Sequence, residues 1–246
     1  MSDDSDEAAP GTEDGRALEL RANLNSVRTR IKRACAAANR SVAEITLVAV
    51  TKFFPASDAV YLYNAGVRDF GENRDQEAGP KIAQVREELA LARWHFIGQL
   101  QTNKVRSVVS YADVIQSVDR LKLVAALDET AARLDRRPLC LVQVNLDPDA
   151  AGRGGAEPGE VEAIADAVAA SAALRLGGLM AVAPLGGDPA AAFERLAEIA
   201  AKVRGAHAEA VSLSAGMSGD LEAAVAAGAT HVRIGSALLG ERPPLR

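Results

Sequence analysis

Lysine is scarce in this chain, with six residues against twenty-two arginines among 28 basic side chains. One of the six, Lys52, directly follows an apolar run over residues 45–50 and Thr51, where a buried strand would end. An amine at such a place is partly stripped of water. Desolvation lowers its pKa and raises the share of neutral amine, the form that attacks an aldehyde. The competing reading is a lysine whose stem lies on apolar surface while its head reaches solvent, and Lys52 alone does not separate the two. Two glycine- and serine-rich turns are more informative as a pair. The stretch Ser214-Ala-Gly-Met-Ser218-Gly-Asp220 leads into a helical pattern, so its first amides are free and the helix dipole favours an anion there. Gly216 and Gly219 let the backbone approach closely, and Ser214 and Ser218 add hydroxyl donors. Asp220 reads equally well as an ordinary helix cap. Gly235 and Ser236 repeat the arrangement after the last apolar run. The pair suggests a phosphate-bearing ligand.

Other polar residues near strand ends are less telling. Arg233 lies between Val232 and Ile234, so strand alternation turns it inward, toward a ligand or a neighbouring carboxylate. His95, in Trp-His-Phe-Ile, fits a satisfied core histidine better than a catalyst. Asn73 and Lys104 fit loop and surface positions as well as a site.

These residues need a scaffold that gathers strand ends. Apolar positions Leu20, Leu24, Val27, Ile31 and Cys35 follow a helical period and predict a helix ahead of any strand. Short apolar runs then recur at 45–50, 67–70, 94–97, 114–118, 139–144, 176–182, 211–213 and 232–234. Amphipathic segments separate them, among them the stripes Val124-Leu127-Ala131-Leu134, Val161-Ile164-Ala165-Val168 and Phe193-Leu196-Ala197-Ala200-Val203. Eight strands each followed by a helix predict a (β/α)8 TIM-type barrel with an extra N-terminal helix, a doubly wound sheet being the alternative. In a barrel, catalytic groups sit at the carboxyl ends of strands, and phosphate sites at the loops after strands seven and eight.

Composition sets the outer limits. Hydrophobic residues make up 48% of the 246 positions, enough for a full core in one domain. The net charge of −5 argues against nucleic acid, which needs a basic face for counterion release. Residues 1–15 carry six acids and no base and are expected to form a disordered acidic tail, leaving 16–246 as a single barrel domain. Cys35 and Cys140 lack metal-ligand spacing, and no run has membrane-spanning length. The expectation is a cytoplasmic monomer.

Six motifs stand in an order shared with one known family. They are Ala-Val-Thr-Lys52, Phe70-Gly-Glu-Asn73, His95-Phe-Ile-Gly98 with Gln101-Thr-Asn-Lys104, Gly178-Leu-Met180, Ser214-Ala-Gly-Met-Ser218 and Val232-Arg-Ile-Gly235-Ser236. The chain resembles the YggS-like pyridoxal-phosphate homeostasis proteins across roughly residues 18–242. The resemblance implies pyridoxal 5′-phosphate (PLP) as cofactor, held as a Schiff base on Lys52. It implies that Ser214, Ser218, Gly235 and Ser236 hold the phosphate, that Arg233 faces the pyridine nitrogen, and that Asn73 and Met180 neighbour the cofactor. Ala215, Arg74 and Thr51 depart from the residues common in the family, where methionine, tyrosine and serine are frequent, and bear on fine packing only.

Two functions then compete. One is a binding protein that holds PLP, buffers its free concentration and can hand it to apo-enzymes, without robust turnover; the other is a PLP enzyme such as a racemase, with a cofactor-free phosphosugar aldolase a weaker third. A guanidinium only donates, so Arg233 would leave the pyridine nitrogen unprotonated and the ring a poorer electron sink. Racemases of this arrangement use two bases, and Tyr61, Tyr63 and Tyr111 all fall in helical segments away from strand ends. The expectation is a carrier.

Overall fold

The computed structural model describes residues 14–147 and 154–241. The predicted tail lies outside the described residues as far as residue 13. Helix α1 (Gly15–Ala37) opens at Gly15, where Asp14 accepts the Arg16 N–H at 3.0 Å, so regular structure begins slightly before the expected boundary. Its buried face carries Leu20, Leu24, Val27, Ile31 and Cys35, the stripe predicted from spacing.

Eight parallel strands follow and close in sequence order: β1 (Thr46–Val50), β2 (Asp69–Glu72), β3 (Arg93–Phe96), β4 (Val114–Val118), β5 (Leu139–Val144), β6 (Arg175–Ala181), β7 (Ser212–Ser214) and β8 (His231–Ile234). Pairing of β8 with β1, from Thr46 opposite His231 to Ala49 opposite Ile234, rules out the open doubly wound sheet. Between the strands run α2 (Ala56–Asn64), α3 (Asp75–Val85), α4 (Val105–Tyr111), α5 (Leu121–Arg133), α6 (Val161–Ala170), α7 (Pro189–Ala206) and α8 (Leu221–Ala226), with α9 (Ser236–Leu239) after β8. Strand β2 sits two residues later than its apolar run suggests. Its ends, Asp69 and Glu72, are buried charges paired inside the fold, which an apolar pattern does not register.

The main core lies between barrel and helices, while Val114, Leu141 and Met180 form a separate cluster with Leu139. Gly178 makes β6 possible: its φ is +140°, and a Cβ there would stand 2.0 Å from the Ser212 carbonyl oxygen.

At the amino-terminal mouth the interior turns polar. Asp69 Oδ1 lies 2.8 Å from His95 Nε2 and 2.9 Å from Arg93 Nε. Burial raises the Asp69 carboxyl, but the bonds from His95 and Arg93 outweigh it and hold the group below the usual aspartate range. The His231 ring lies 6.2 Å from that of His95. Burial first, then repulsion from His95, pushes the His231 imidazole down from 6.5 to about 4, against the pull of Asp69. Between those pH values the unfolded chain binds more protons than the folded one, so stability declines as pH falls through that window. The deficit is complete near the folded value and amounts to roughly 3 kcal/mol at most. Asp69 adds its loss only in stronger acid. Denaturant titrations at about pH 7 and about pH 4.5 should show this decline, and His231→Asn should remove most of it. An unchanged pH dependence in that variant would refute the assignment.

Candidate functional site

Lys52 is held between two pinned neighbours. Before it, the Thr51 N–H bonds the Gly71 carbonyl at 3.1 Å, and the Thr51 hydroxyl donates to Glu72 Oε1 at 2.7 Å. Lys81, buried on α3, donates to both the Thr51 carbonyl and Glu72 Oε1 at 2.7 Å. After it, Phe53 takes a left-handed φ of +70°, with its N–H directed to Glu77 Oε2 at 3.3 Å. A bulky residue adopts that conformation only when its surroundings impose it. The backbone on either side therefore fixes where the half-buried Lys52 side chain starts. Its Nζ lies 5.8 Å from the centre of the Phe53 ring.

Lys52 lines a cavity of about 400 Å³ at the carboxyl mouth of the barrel. Arg233, Ser218, Gly219, Gly235 and Ser236 line the same cavity, with Val50, Phe53, Phe54, Ile97 and Met217 as apolar wall. That size falls in the range of small-molecule sites. The two serine turns interlock: Ser236 Oγ donates to Ser218 Oγ at 3.3 Å, and the Ala237 N–H reaches the same oxygen at 3.3 Å. Gly216 shapes the first turn, with φ +89° and a would-be Cβ 2.5 Å from Ala224 Cβ. Asp220 closes it by accepting the Met217 N–H at 2.6 Å, so its carboxylate serves the turn rather than the cavity.

Arg233 is 4% exposed. Its inward direction follows from alternation, but its partners are neutral: Nη1 donates to Ser214 Oγ and Nη2 to the Ala181 carbonyl, both at 2.8 Å. Burial lowers the guanidinium to about 10, with Asp220 opposing, so it stays charged at neutral pH.

Of the residues singled out in the sequence, Lys52, Ser218, Arg233, Gly235 and Ser236 meet around the cavity. Ser214, Met180, Asn73, His95 and Lys104 are not part of its lining. Ser214 is fully buried and committed to Gln116 and Arg233, because the last residue of β7 points into the barrel below the mouth. Met180 is buried against Val114 and Leu141. Asn73 is half-buried and packs on Gly98, where a Cβ would meet the Asn73 carbonyl oxygen at 2.1 Å. His95 has both ring nitrogens bonded, to Asp69 and Gln116, in keeping with its reading as a core residue. Lys104 lies 3.9 Å from the Asp75 carboxylate. Sequence reasoning missed Glu241, an exposed carboxylate at the cavity rim, as well as Gln116 and the Glu72–Lys81 pair. Gln116 had a legible signal: it is a polar side chain inside the apolar run 114–118. Among the described residues no cluster could hold a metal ion, and Cys35 and Cys140 are free and buried.

Comparison with known proteins places this geometry in context. Residues 20–243 match the family model described as alanine racemase, N-terminal domain. The pyridoxal phosphate homeostasis protein of Mycobacterium leprae is 44% identical over 241 residues, covering 92% of this chain and 93% of that protein. The structure of PipY from Synechococcus elongatus with PLP bound superposes with a TM-score of 0.79 at 35% identity, over 90% of this chain and all of PipY. Alanine racemase of Clostridium difficile shares the fold, with a TM-score of 0.71 at 16% identity over 92% of this chain and 57% of the racemase. By the family model and by identity over most of its length, the chain belongs to the alanine racemase N-terminal domain family, among its pyridoxal phosphate homeostasis proteins.

Proposed function

We propose that this protein binds PLP at the carboxyl mouth of its barrel, joined to Lys52 as a Schiff base, and acts in the cytoplasm as a carrier that supplies the cofactor to apo-enzymes. The observation that carries the reading is the meeting of one amine on a fixed stretch of backbone, one buried guanidinium and two interlocked hydroxyl turns around one cavity of about 400 Å³. PLP supplies an aldehyde for condensation with an amine, with loss of water, and an aromatic ring able to withdraw electrons. The donor set fits such a group. Ser218 and Ser236 offer hydroxyls to a phosphate, and Val50, Phe53 and Ile97 offer flat apolar contact to a ring. Arg233, carrying only donors, suits an unprotonated ring nitrogen. We assign Ser214 to holding Arg233 rather than to the phosphate, and Asn73 and Met180 to packing around the site.

The carrier reading rests on the acid–base inventory. Beside Lys52 and Arg233, the titratable side chain lining the cavity among the described residues is Glu241, at its exposed rim. The Tyr61 hydroxyl is bonded to Asp14 at 2.5 Å and Tyr111 faces Asp75 at 3.4 Å, and neither side chain lines the cavity. An unprotonated ring nitrogen further weakens carbanion chemistry. The names of the relatives, homeostasis proteins rather than enzymes, support the same choice.

The purified protein should be yellow, and borohydride should fix the cofactor at Lys52, as read by peptide mass. Label on another lysine, or colour retained in Lys52→Ala, would sink the assignment. Ser218→Ala and Ser236→Ala should each weaken PLP retention roughly tenfold, the scale of one hydrogen bond to a charged group. In deuterated water, alanine should gain no α-deuterium at enzyme-like rates; rapid exchange would favour the racemase reading instead.

A further inference from the structure

A continuous hydrogen-bond chain runs through the barrel from Arg233 to the opposite mouth. Arg233 Nη1 donates to Ser214 Oγ at 2.8 Å, and the Ser214 hydroxyl donates to Gln116 Oε1 at 2.7 Å. Gln116 Nε2 lies 2.8 Å from His95 Nδ1, and His95 Nε2 lies 2.8 Å from Asp69 Oδ1. The five side chains are 0–5% exposed. One assignment of hydrogens gives every bond a donor and an acceptor. A guanidinium only donates, so Ser214 must accept from it and passes its own hydrogen onward. Gln116 then presents its oxygen to Ser214 and its amide hydrogens to His95. In that assignment His95 Nδ1 accepts from Gln116, and the hydrogen on Nε2 faces the Asp69 carboxylate. At the far end Arg93 holds that carboxylate at 2.9 Å.

Filling a barrel does not require such a chain. Val114, Leu141 and Met180 pack an adjoining part of the structure with apolar groups alone. Burying Gln116, Ser214 and His95 strips water from several donors and acceptors, a cost that only full mutual satisfaction offsets. The arrangement makes sense if the orientation of its last member matters. The Ser214 lone pair offered to Arg233 is fixed by where its hydrogen points, and that is fixed by Gln116, whose amide is in turn fixed by His95 and Asp69. We infer that Gln116, His95 and Asp69 are positioning residues that act through Ser214 to hold the Arg233 guanidinium against the ring nitrogen of the cofactor. This rests on the proposal that PLP occupies the cavity with its ring nitrogen at Arg233.

The test is a double-mutant cycle on the loaded protein, read by the absorption band of the bound cofactor and by its dissociation constant, with borohydride trapping at Lys52 as a check on attachment. Gln116→Met removes both amide bonds at similar length, and Arg233→Gln removes the guanidinium. Each single variant should shift the band and weaken retention roughly tenfold, the loss of one hydrogen bond to a charged group. The double variant should be no worse than Arg233→Gln alone, because the chain then has nothing to place. Val114→Ala serves as a control: it should lower Tm and leave the band in place. Should Gln116→Met fail to fold, His95→Asn, which withdraws the ring from Asp69, takes its place in the same cycle. The inference is overturned if Gln116→Met leaves band and affinity unchanged, or if its effect multiplies with that of Arg233→Gln. If Arg233→Gln alone changes neither reading while Lys52 is still trapped, the ring-nitrogen contact itself is wrong, and the inference falls with it.

Discussion

Strand β8 closes the barrel by lying parallel to β1, with Val48 opposite Arg233 and Ala49 opposite Ile234. Because the strands run in the same direction, their carboxyl ends emerge side by side. Lys52 and the Gly235–Ser236 turn, from opposite ends of the chain, therefore share one rim, and a Cβ at Gly235 would lie 3.6 Å from Val50 Cβ. The register of that pairing is as important as its existence. A slip of one residue would rotate Arg233 out toward the helices and put Val232 or Ile234 in its place. The fully buried Val232 and Ile234 belong to the core outside the barrel, and their burial there opposes such a slip.

Turning Arg233 inward creates an electrostatic problem that shapes the rest of the interior. A guanidinium that is 4% exposed loses most of its hydration. A neighbouring carboxylate would compensate it, but would also neutralise the charge that a ligand could use. The structure instead gives Arg233 two neutral acceptors, the Ser214 hydroxyl and the Ala181 carbonyl, and keeps the Asp69 carboxylate three side chains beyond Ser214. Desolvation then lowers the Arg233 pKa to about 10 without discharging it. Burial likewise drives His231 to about 4, so this second histidine of the interior adds no positive charge near Arg233 at neutral pH. Charge is thus concentrated where the cavity is.

Much of this was legible in the sequence, for identifiable reasons. The barrel could be read because each strand and helix buries a face against the next layer, and burial leaves a period in the apolar residues. The rim residues could be read because glycine–serine turns after β7 and β8 are a local feature. What escaped depends on contacts across the barrel. Ser214 looks like its neighbour Ser218 in the sequence, yet it is the last residue of β7 and faces Gln116 from β4. The pairing of Thr51 with Glu72 and Lys81 joins three elements and has no sequence period. Burial of Asp69 and Glu72 also displaced β2 from its apolar run, since paired charges can occupy positions that a pattern assigns to loops.

Helix α1, which precedes the barrel, bears on the site through the carbonyls it satisfies. Arg30 donates to the Ser218 carbonyl at 3.0 Å while paired with Glu222 at 2.8 Å. Asn23 donates to the Leu238 carbonyl at 3.1 Å, and Arg16 to the Leu239 carbonyl at 2.9 Å while paired with the buried Asp58 at 2.6 Å. These are the segments that carry Ser218 and Ser236. Short helices such as α8 and α9 have little stability of their own, so turns anchored only to them would lose conformational freedom when a ligand binds. Three donors from one long helix remove part of that freedom in advance, which lowers the cost of binding without adding a contact to the ligand. The helix ahead of the barrel therefore belongs to the site as much as the strands do.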